Sequence, residues 1–351
     1  MKIIKMQPDL TKLFDLIDQR HGPDASAIKR FTDVYFESVT QFEFAEKKIE
    51  DVYGATIASW HFLQQRQKDE IKLKVFNPTN ALDGWVSTHT VIQILTDDAP
   101  FIIDTVRMEI NRRHMSVHTV HASTIQVARD ASGQAQLNTL SKKPHGDIQP
   151  PEGVYEEAFV YLEIDKLSDK TILDDISDKL NSVLNELRCC VDDYPYFLHA
   201  LEGAVTELQQ LPCERPEEEV KEALAFLEWL KNEHFTFIAY DEFSLEEEEG
   251  FTYVVRDKSK NLGSFRFNQP PENKKKVVEL SSEIQAFMLG DSMINFFKSG
   301  SRSRIHRPAY SDYVVVKRFN EAGEVIGGLR FMGLYTSNVY LESPKTFPII
   351  R

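Results

Sequence analysis

The stretch TDDAPFIIDTVRMEINRRHMSVHTVHAS, Thr96 to Ser123, carries a strand end, a carboxylate turn, an amphipathic helix and a second strand within 28 residues. Upstream, Val91, Ile92, Ile94 and Leu95 form an apolar run that Thr96-Asp97-Asp98 closes, the pattern of a buried strand entering a polar turn. Pro100 suits a first helical turn, where a missing N–H costs nothing. Ile102, Ile103, Val106, Met108, Ile110 and Met115 make an apolar stripe at roughly helical spacing, so a helix is expected over 100–113. Asp97 and Asp98 at its start and Arg107, Arg112 and Arg113 toward its end agree with the helix dipole, at about 0.3–1 kcal/mol each. Together these elements are half of a βαββαβ unit.

Working outward, strands are expected at 89–96, 117–129 and 157–164, a turn near Asp130–Gly133, a loop at 144–153 and a helix over 169–189. The order β-α-β-β-α favours an antiparallel sheet with helices on one face. Helical spacing persists through Val191, Leu198, Leu201, Val205 and Leu208, with Pro195 placed to restart a helix after Asp192-Asp193, so 169–210 reads as one long kinked helix.

Before this domain, residues 9–69 carry three helical stripes, punctuated by Gly22-Pro23-Asp24, and Ile71, Leu73 and Val75 alternate with lysines as in a half-exposed strand. After it, Leu211-Pro212-Cys213-Glu214-Arg215-Pro216 is a linker. A helix beginning with Glu217, Glu218 and Glu219 and ending near His234 follows. Strands are then expected at 235–243, 251–256, 262–267, 303–307, 313–319 and 324–335, with helices around 278–289 and 291–298; Gly323 marks a hairpin turn. The second domain thus reads as an antiparallel sheet of five or six strands with helices on one side.

Composition narrows the function. The chain has 351 residues, 42% hydrophobic and 27% charged, enough for two or three cores. A net charge of −14 argues against a nucleic-acid binder. No apolar run exceeds five residues, so neither a membrane span nor a signal peptide is expected, and the cytoplasm is the default location. Cys189, Cys190 and Cys213 give no disulfide framework and no metal spacing. Hydride transfer to NAD needs a strand–GxGxxG–helix turn with an acidic residue about 20 positions later. No such arrangement occurs; Gly327, Gly328 and Gly333 fall in an expected strand, where a bulge or close packing explains them better.

Four blocks, Thr96–His121, Glu222–Leu245 (EALAFLEWLKNEHFTFIAYDEFSL), Ser303–Phe319 (SRIHRPAYSDYVVVKRF) and Glu324–Tyr335, together resemble the N-terminal region of the large bacterial NAD-specific glutamate dehydrogenases. The resemblance implies an α+β chain: a helical leader with one short strand (1–83), an ACT-like βαββα domain with the kinked helix (84–210), and a PAS-like antiparallel-sheet domain (216–351). It also implies a longer parent containing a dehydrogenase core that uses NAD, a homo-oligomer, and a regulatory role without catalytic or cofactor-binding residues in this stretch. A stand-alone ACT-type amino-acid sensor is the alternative.

Candidate site residues follow. An ACT module binds an amino acid at a D-x-P-G-like turn; here Asp98-Ala99-Pro100-Phe101 keeps the aspartate and proline but replaces the glycine. Asp97, Asp98, Pro100, Phe101 and Asp104 are therefore effector or interface candidates, against the commoner role of such carboxylates as helix caps. Arg302, Arg304, His306 and Arg307 form a basic patch suited to an anion or to an acidic surface, Glu246–Glu249 being the internal acidic run. His114, His118 and His121 are close in sequence, but in a strand His118 and His121 point to opposite faces, so no metal site is expected. Phe235, Phe237, Tyr240, Phe251, Tyr253, Phe265 and Phe267 either line a pocket in the second domain or fill its core, as such aromatics more often do.

Overall fold

The computed structural model describes residues 8–349 apart from 145, 147, 269–277, 280–287, 342, 344 and 346. Two compact units result, residues 1–184 and 185–351.

In the first unit, helices α1 (Thr11–His21), α2 (Ala25–Tyr35), α3 (Gln41–Ala45) and α4 (Ile49–Gln64) precede strand β1 (Lys72–Phe76) and the single turn α5 (Asn80–Asp83). Strand β2 (Thr90–Asp97), helix α6 (Ile102–Arg112), strands β3 (Val117–Arg129), β4 (Ala135–Lys142) and β5 (Val154–Ile164), and helix α7 (Lys170–Asp192) follow. The sheet order is β1-β2-β5-β3-β4, every neighbouring pair antiparallel. Thr40 starts α3 with a capping box: its hydroxyl accepts from the Glu43 N–H, and the Glu43 carboxylate accepts from the Thr40 N–H at 2.8 Å.

The leader is not separate from this sheet. Leu13 and Ile17 of α1, Ile28, Phe31 and Tyr35 of α2, and Trp60 and Leu63 of α4 share one core with Val91, Leu95, Ile125, Phe159 and Tyr161. Strand β1 pairs directly with β2, Leu73 opposite Ile94. Strands alternate, so Phe159 and Tyr161 facing the leader leave Ala158, Val160 and Leu162 on the other face, where they are also buried and where α6 packs against β3. Helices therefore cover both faces, rather than the one face expected from the element order. The consecutive apolar residues Ala158–Leu162 are the sequence mark of a strand buried on both sides. Strand β4 was not expected, although the turn preceding it was.

Helix α8 (Tyr194–Gln209) begins the second unit's layer of helices and belongs with that unit's core, so the expected domain limits at 84 and 210 do not coincide with the observed division, which falls within α7. The break after α7 has a local cause. Asp193 keeps helical backbone bonds, its N–H donating to the Cys189 carbonyl at 3.1 Å and its carbonyl accepting from the Phe197 N–H at 3.0 Å, but Pro195 has no N–H to continue the ladder, and the Asp193 carboxylate accepts from the Gly263 N–H at 2.6 Å and from Arg266. Helix α9 (Glu217–Trp229) then runs into a π turn that ends where Glu233 adopts φ 60°.

Strands β6 (Phe235–Glu248) and β7 (Phe251–Gly263), the single turn α10 (Ser264–Phe267), the short β8 (Val278–Glu279), β9 (Ile294–Arg302), β10 (Tyr310–Phe319) and β11 (Val325–Tyr335) form an antiparallel sheet in the order β8-β7-β6-β11-β10-β9. Phe197 and Leu201 of α8 and Phe226 and Leu227 of α9 pack with Phe237, Val314, Val316 and Phe331. Three local expectations fail here. The helix at 291–298 is the start of β9; 303–307 is an irregular loop; and 264–267 is a helical turn. The helix expected at 278–289 lies mostly outside the described residues, and its first two residues pair with β7 as a strand. Gly333 sits at a bulge in β11, where a Cβ would lie 2.2 Å from the Thr236 carbonyl oxygen.

Candidate functional site

Strand β2 ends at Asp97 and α6 starts only at Ile102, because Phe101 takes φ 68°, ψ 9°, the left-handed conformation. A glycine holds that conformation freely; a phenylalanine does so at a cost of about 1–3 kcal/mol. Phe101 nevertheless seeds the helix, its carbonyl accepting from the Thr105 N–H at 2.9 Å. Pro100 accordingly lies in the turn and not in the first turn of the helix, a correction that follows from the left-handed residue between them.

Beside this turn is an open cleft of about 310 Å³, whose walls include Asp98, Phe101, Asp104, Ala122, Thr124 and Val160. The Asp98 carboxylate accepts from Lys143 Nζ at 3.1 Å and from Thr124 Oγ1 at 3.3 Å, and its N–H donates to the Glu156 carbonyl. Lys143 also pairs with Glu156 at 2.7 Å, and Gln126 donates to the same carboxylate at 3.0 Å. Hydrogen bonds to Glu156 and then to Asp98 raise the Lys143 pKa, and the Lys143 and Gln126 bonds lower that of Glu156. Asp97 has another environment. Its carboxylate pairs at 2.7 Å with Arg66, which is 2% exposed. Asp98, Phe101 and Asp104 thus share the cleft, while Asp97 joins a buried ionic network that includes Glu157 and Arg129.

The basic stretch divides as well. Arg302 and Arg304 line a cavity of about 260 Å³ in the second unit. Arg304 pairs with Glu186 at 3.3 Å, not with the Glu246–Glu249 run, which sits at the β6–β7 turn. Arg307 donates to the Tyr335 carbonyl, and His306 takes φ 67° in the loop. The histidines also part. His118 contacts Asp165 at 2.8 Å, His121 is buried against Tyr35 and Tyr161, and His114 follows α6 with φ 60°. Among the described residues no three His, Cys, Asp or Glu side chains are grouped to hold a metal ion. Phe235, Phe237 and Tyr240 fill the second core, whereas Phe251 is exposed.

Sequence reasoning missed Ser299, Ser301 and Ser303 beside Arg302 and Arg304, because it ended a helix at 298 and started a strand only at 303, so the continuous run of β9 through Arg302 went unread. The alternation Ser299-Gly-Ser-Arg-Ser-Arg304 was the available signal. It also missed Lys143, for which only the full geometry of β3, β4 and β5 supplies a reason.

Residues 31–180 match the family model of the glutamate dehydrogenase ACT1 domain. Over 344 residues, 97% of this chain and 21% of the relative, the sequence is 34% identical to the NAD-specific glutamate dehydrogenase of Halomonas elongata. The chain resembles the NAD-specific glutamate dehydrogenases. A second such relative, from Pseudomonas aeruginosa, is 34% identical over 321 residues, 92% of this chain and 19% of that protein. The chain therefore spans about one fifth of the length of the curated relatives it matches. The ACT1 match starts within α2, so it takes in leader helices together with the sheet they cover, and it contains the Asp98–Asp104 cleft. Among the described residues no helix is long and apolar enough to cross a membrane.

Proposed function

We propose that this chain is a regulatory and assembly portion of a large cytoplasmic NAD-dependent glutamate dehydrogenase, a homo-oligomer whose core converts glutamate, NAD and water to 2-oxoglutarate, ammonia and NADH. The observation that carries the reading is an open cleft at the strand-to-helix turn of a region that matches the glutamate dehydrogenase ACT1 domain. Regulation requires an effector that binds one of two conformations better than the other, and this cleft offers a carboxylate, a hydroxyl and apolar walls suited to a small amino acid.

Two measurements test it. The purified 351-residue chain should produce no NADH from glutamate and NAD, and turnover that follows the protein through purification overturns the non-catalytic assignment. Calorimetry against the twenty amino acids tests the cleft. Saturable binding abolished by Asp98→Asn places an effector there, and silence leaves assembly as the role. In either outcome Phe101→Gly, which keeps the left-handed turn and removes the ring from the cleft wall, should strengthen binding or reveal it. The alternative of a stand-alone sensor is favoured instead if the natural protein that binds the amino acid proves by mass measurement to carry no dehydrogenase core.

A further inference from the structure

The cavity beside Arg302 and Arg304 belongs wholly to the second unit and is separate in residues from the ACT1 cleft. Its walls carry five serines, Ser264, Ser299, Ser301, Ser303 and Ser311, with Asn268 and Tyr313. Ser299 and Ser301 lie two residues apart on β9, their hydroxyls 3.4 Å from each other, and Ser303 continues the same spacing past the strand end. The single carboxylate, Glu186, is buried and engaged: it accepts from Ser264 Oγ, from Asn268 Nδ2 at 3.2 Å, and pairs with Arg304. Glu186 thereby offsets one guanidinium of two. Arg302 makes no ion pair among the described residues and lies over the Tyr310 ring at 5.5 Å, and the buried Nε of Arg304 has no hydrogen-bond partner among them.

An excess positive charge in a protein of net charge −14, surrounded by hydroxyl donors, selects an anion. The donor count selects its type. One guanidinium satisfies the two coplanar oxygens of a carboxylate, whereas two guanidiniums and a curved row of hydroxyls match a tetrahedral group of three or four oxygens. We propose that this cavity of the second unit binds a phosphoryl group, with Arg302, Arg304 and the hydroxyls of Ser299 and Ser301 as its donors, the Ser303 hydroxyl being spent on the Ile305 carbonyl at 2.8 Å. The group arrives either as inorganic phosphate or as the phosphate of a nucleotide; the Phe265 and Tyr313 rings of the same wall already carry the Arg330 guanidinium, so they add no stacking platform for a base.

The test is titration of the 351-residue chain at fixed ionic strength with inorganic phosphate, AMP and succinate, followed by ³¹P line broadening and by calorimetry. Phosphate or AMP should saturate a single site, the tighter of the two identifying the source. Arg302→Gln, a change at an exposed side chain, should weaken binding at least tenfold, and Ser301→Asp, which sets a carboxylate on the exposed end of β9, should abolish it. Asp98→Asn should leave it unaltered, which separates this site from the ACT1 cleft. Circular dichroism of each variant establishes that it folds. No saturable binding of either phosphate probe, equal binding by folded Arg302→Gln and Ser301→Asp, or succinate binding as tightly as phosphate overturns the proposal.

Discussion

Glu157→Gln should destabilise the first unit by about 3–5 kcal/mol, a large share of the stability of an ordinary domain. Glu157 is 0% exposed, and its carboxylate serves two buried guanidiniums: Oε1 accepts from Arg66 Nη1 at 2.8 Å and from Arg129 Nε at 2.6 Å, and Oε2 from Arg129 Nη2 at 2.7 Å. An amide keeps the shape but loses the charge, leaving two guanidiniums in the interior with only the half-exposed Asp97 opposite Arg66. The arginines also bind backbone. Arg129 donates to the Leu63 and Gly133 carbonyls, and Arg66 Nε to that of Glu70, so the network ties the end of α4 and the β3–β4 turn to β5. An apolar triple replacement should therefore fail to restore stability, because it orphans those carbonyls. Asp97→Asn is the contrast: at 42% side-chain exposure its pairing is screened, and the loss should stay within about 1 kcal/mol. Urea unfolding followed by tryptophan fluorescence distinguishes them, and equal midpoints for wild type and Glu157→Gln would refute the claim.

This network shows why part of the structure was legible in the sequence and part was not. Strand β2, helix α6 and the leader helices are each written in a local period, and the leader's stripes are the faces buried in the shared core. Which surface receives a stripe is a tertiary fact. Nothing near Arg66 or Glu157 announces that residues 91 apart in sequence will meet. The helix expected over 291–298 failed for another reason. Ile294-Asn-Phe-Phe-Lys298 has too few residues to separate a helical from a strand period, and pairing with β10, Val316 opposite Ile294, decides it. Phe101 lies between these cases: the missing glycine was readable, but that a phenylalanine would hold the glycine's conformation was not, since the surrounding helix and sheet impose it.

Acid should loosen the first unit through His121, well before the carboxylates titrate. Burial above all, and then the charge of Lys47, hold the His121 pKa at about 4 against its ordinary 6.5, with Glu163 and Glu43 opposing the shift. The ring stacks on Tyr161 at 5.3 Å and meets Tyr35 and Phe36 at their edges or at a tilt, and its Nδ1 has no hydrogen-bond partner among the described residues. Between pH 6.5 and 4 the unfolded chain binds a proton that the folded chain refuses. The stabilisation from a neutral His121 is therefore complete above about pH 7 and is lost as pH falls toward 4, amounting to roughly 2–3 kcal/mol between pH 7.5 and 4.5. Glu163 acts further down the scale. Burial raises its pKa, but the charge and hydrogen bond of Lys47, with the Tyr161 and Thr119 hydroxyls, outweigh burial and keep it below the ordinary value, so its share is lost only at lower pH. His121→Phe retains an aromatic ring in the cluster and removes the titrating group. The variant should show a markedly shallower fall of the unfolding midpoint between pH 7.5 and 4.5, the remainder carried by His21 and His89, whose pKa values burial also lowers, while keeping the steeper fall below. If its midpoint declines across that interval as steeply as that of the wild type, the acid sensitivity resides in the ion pairs, including the Lys47–Glu163 contact at 2.7 Å that fastens the leader to β5.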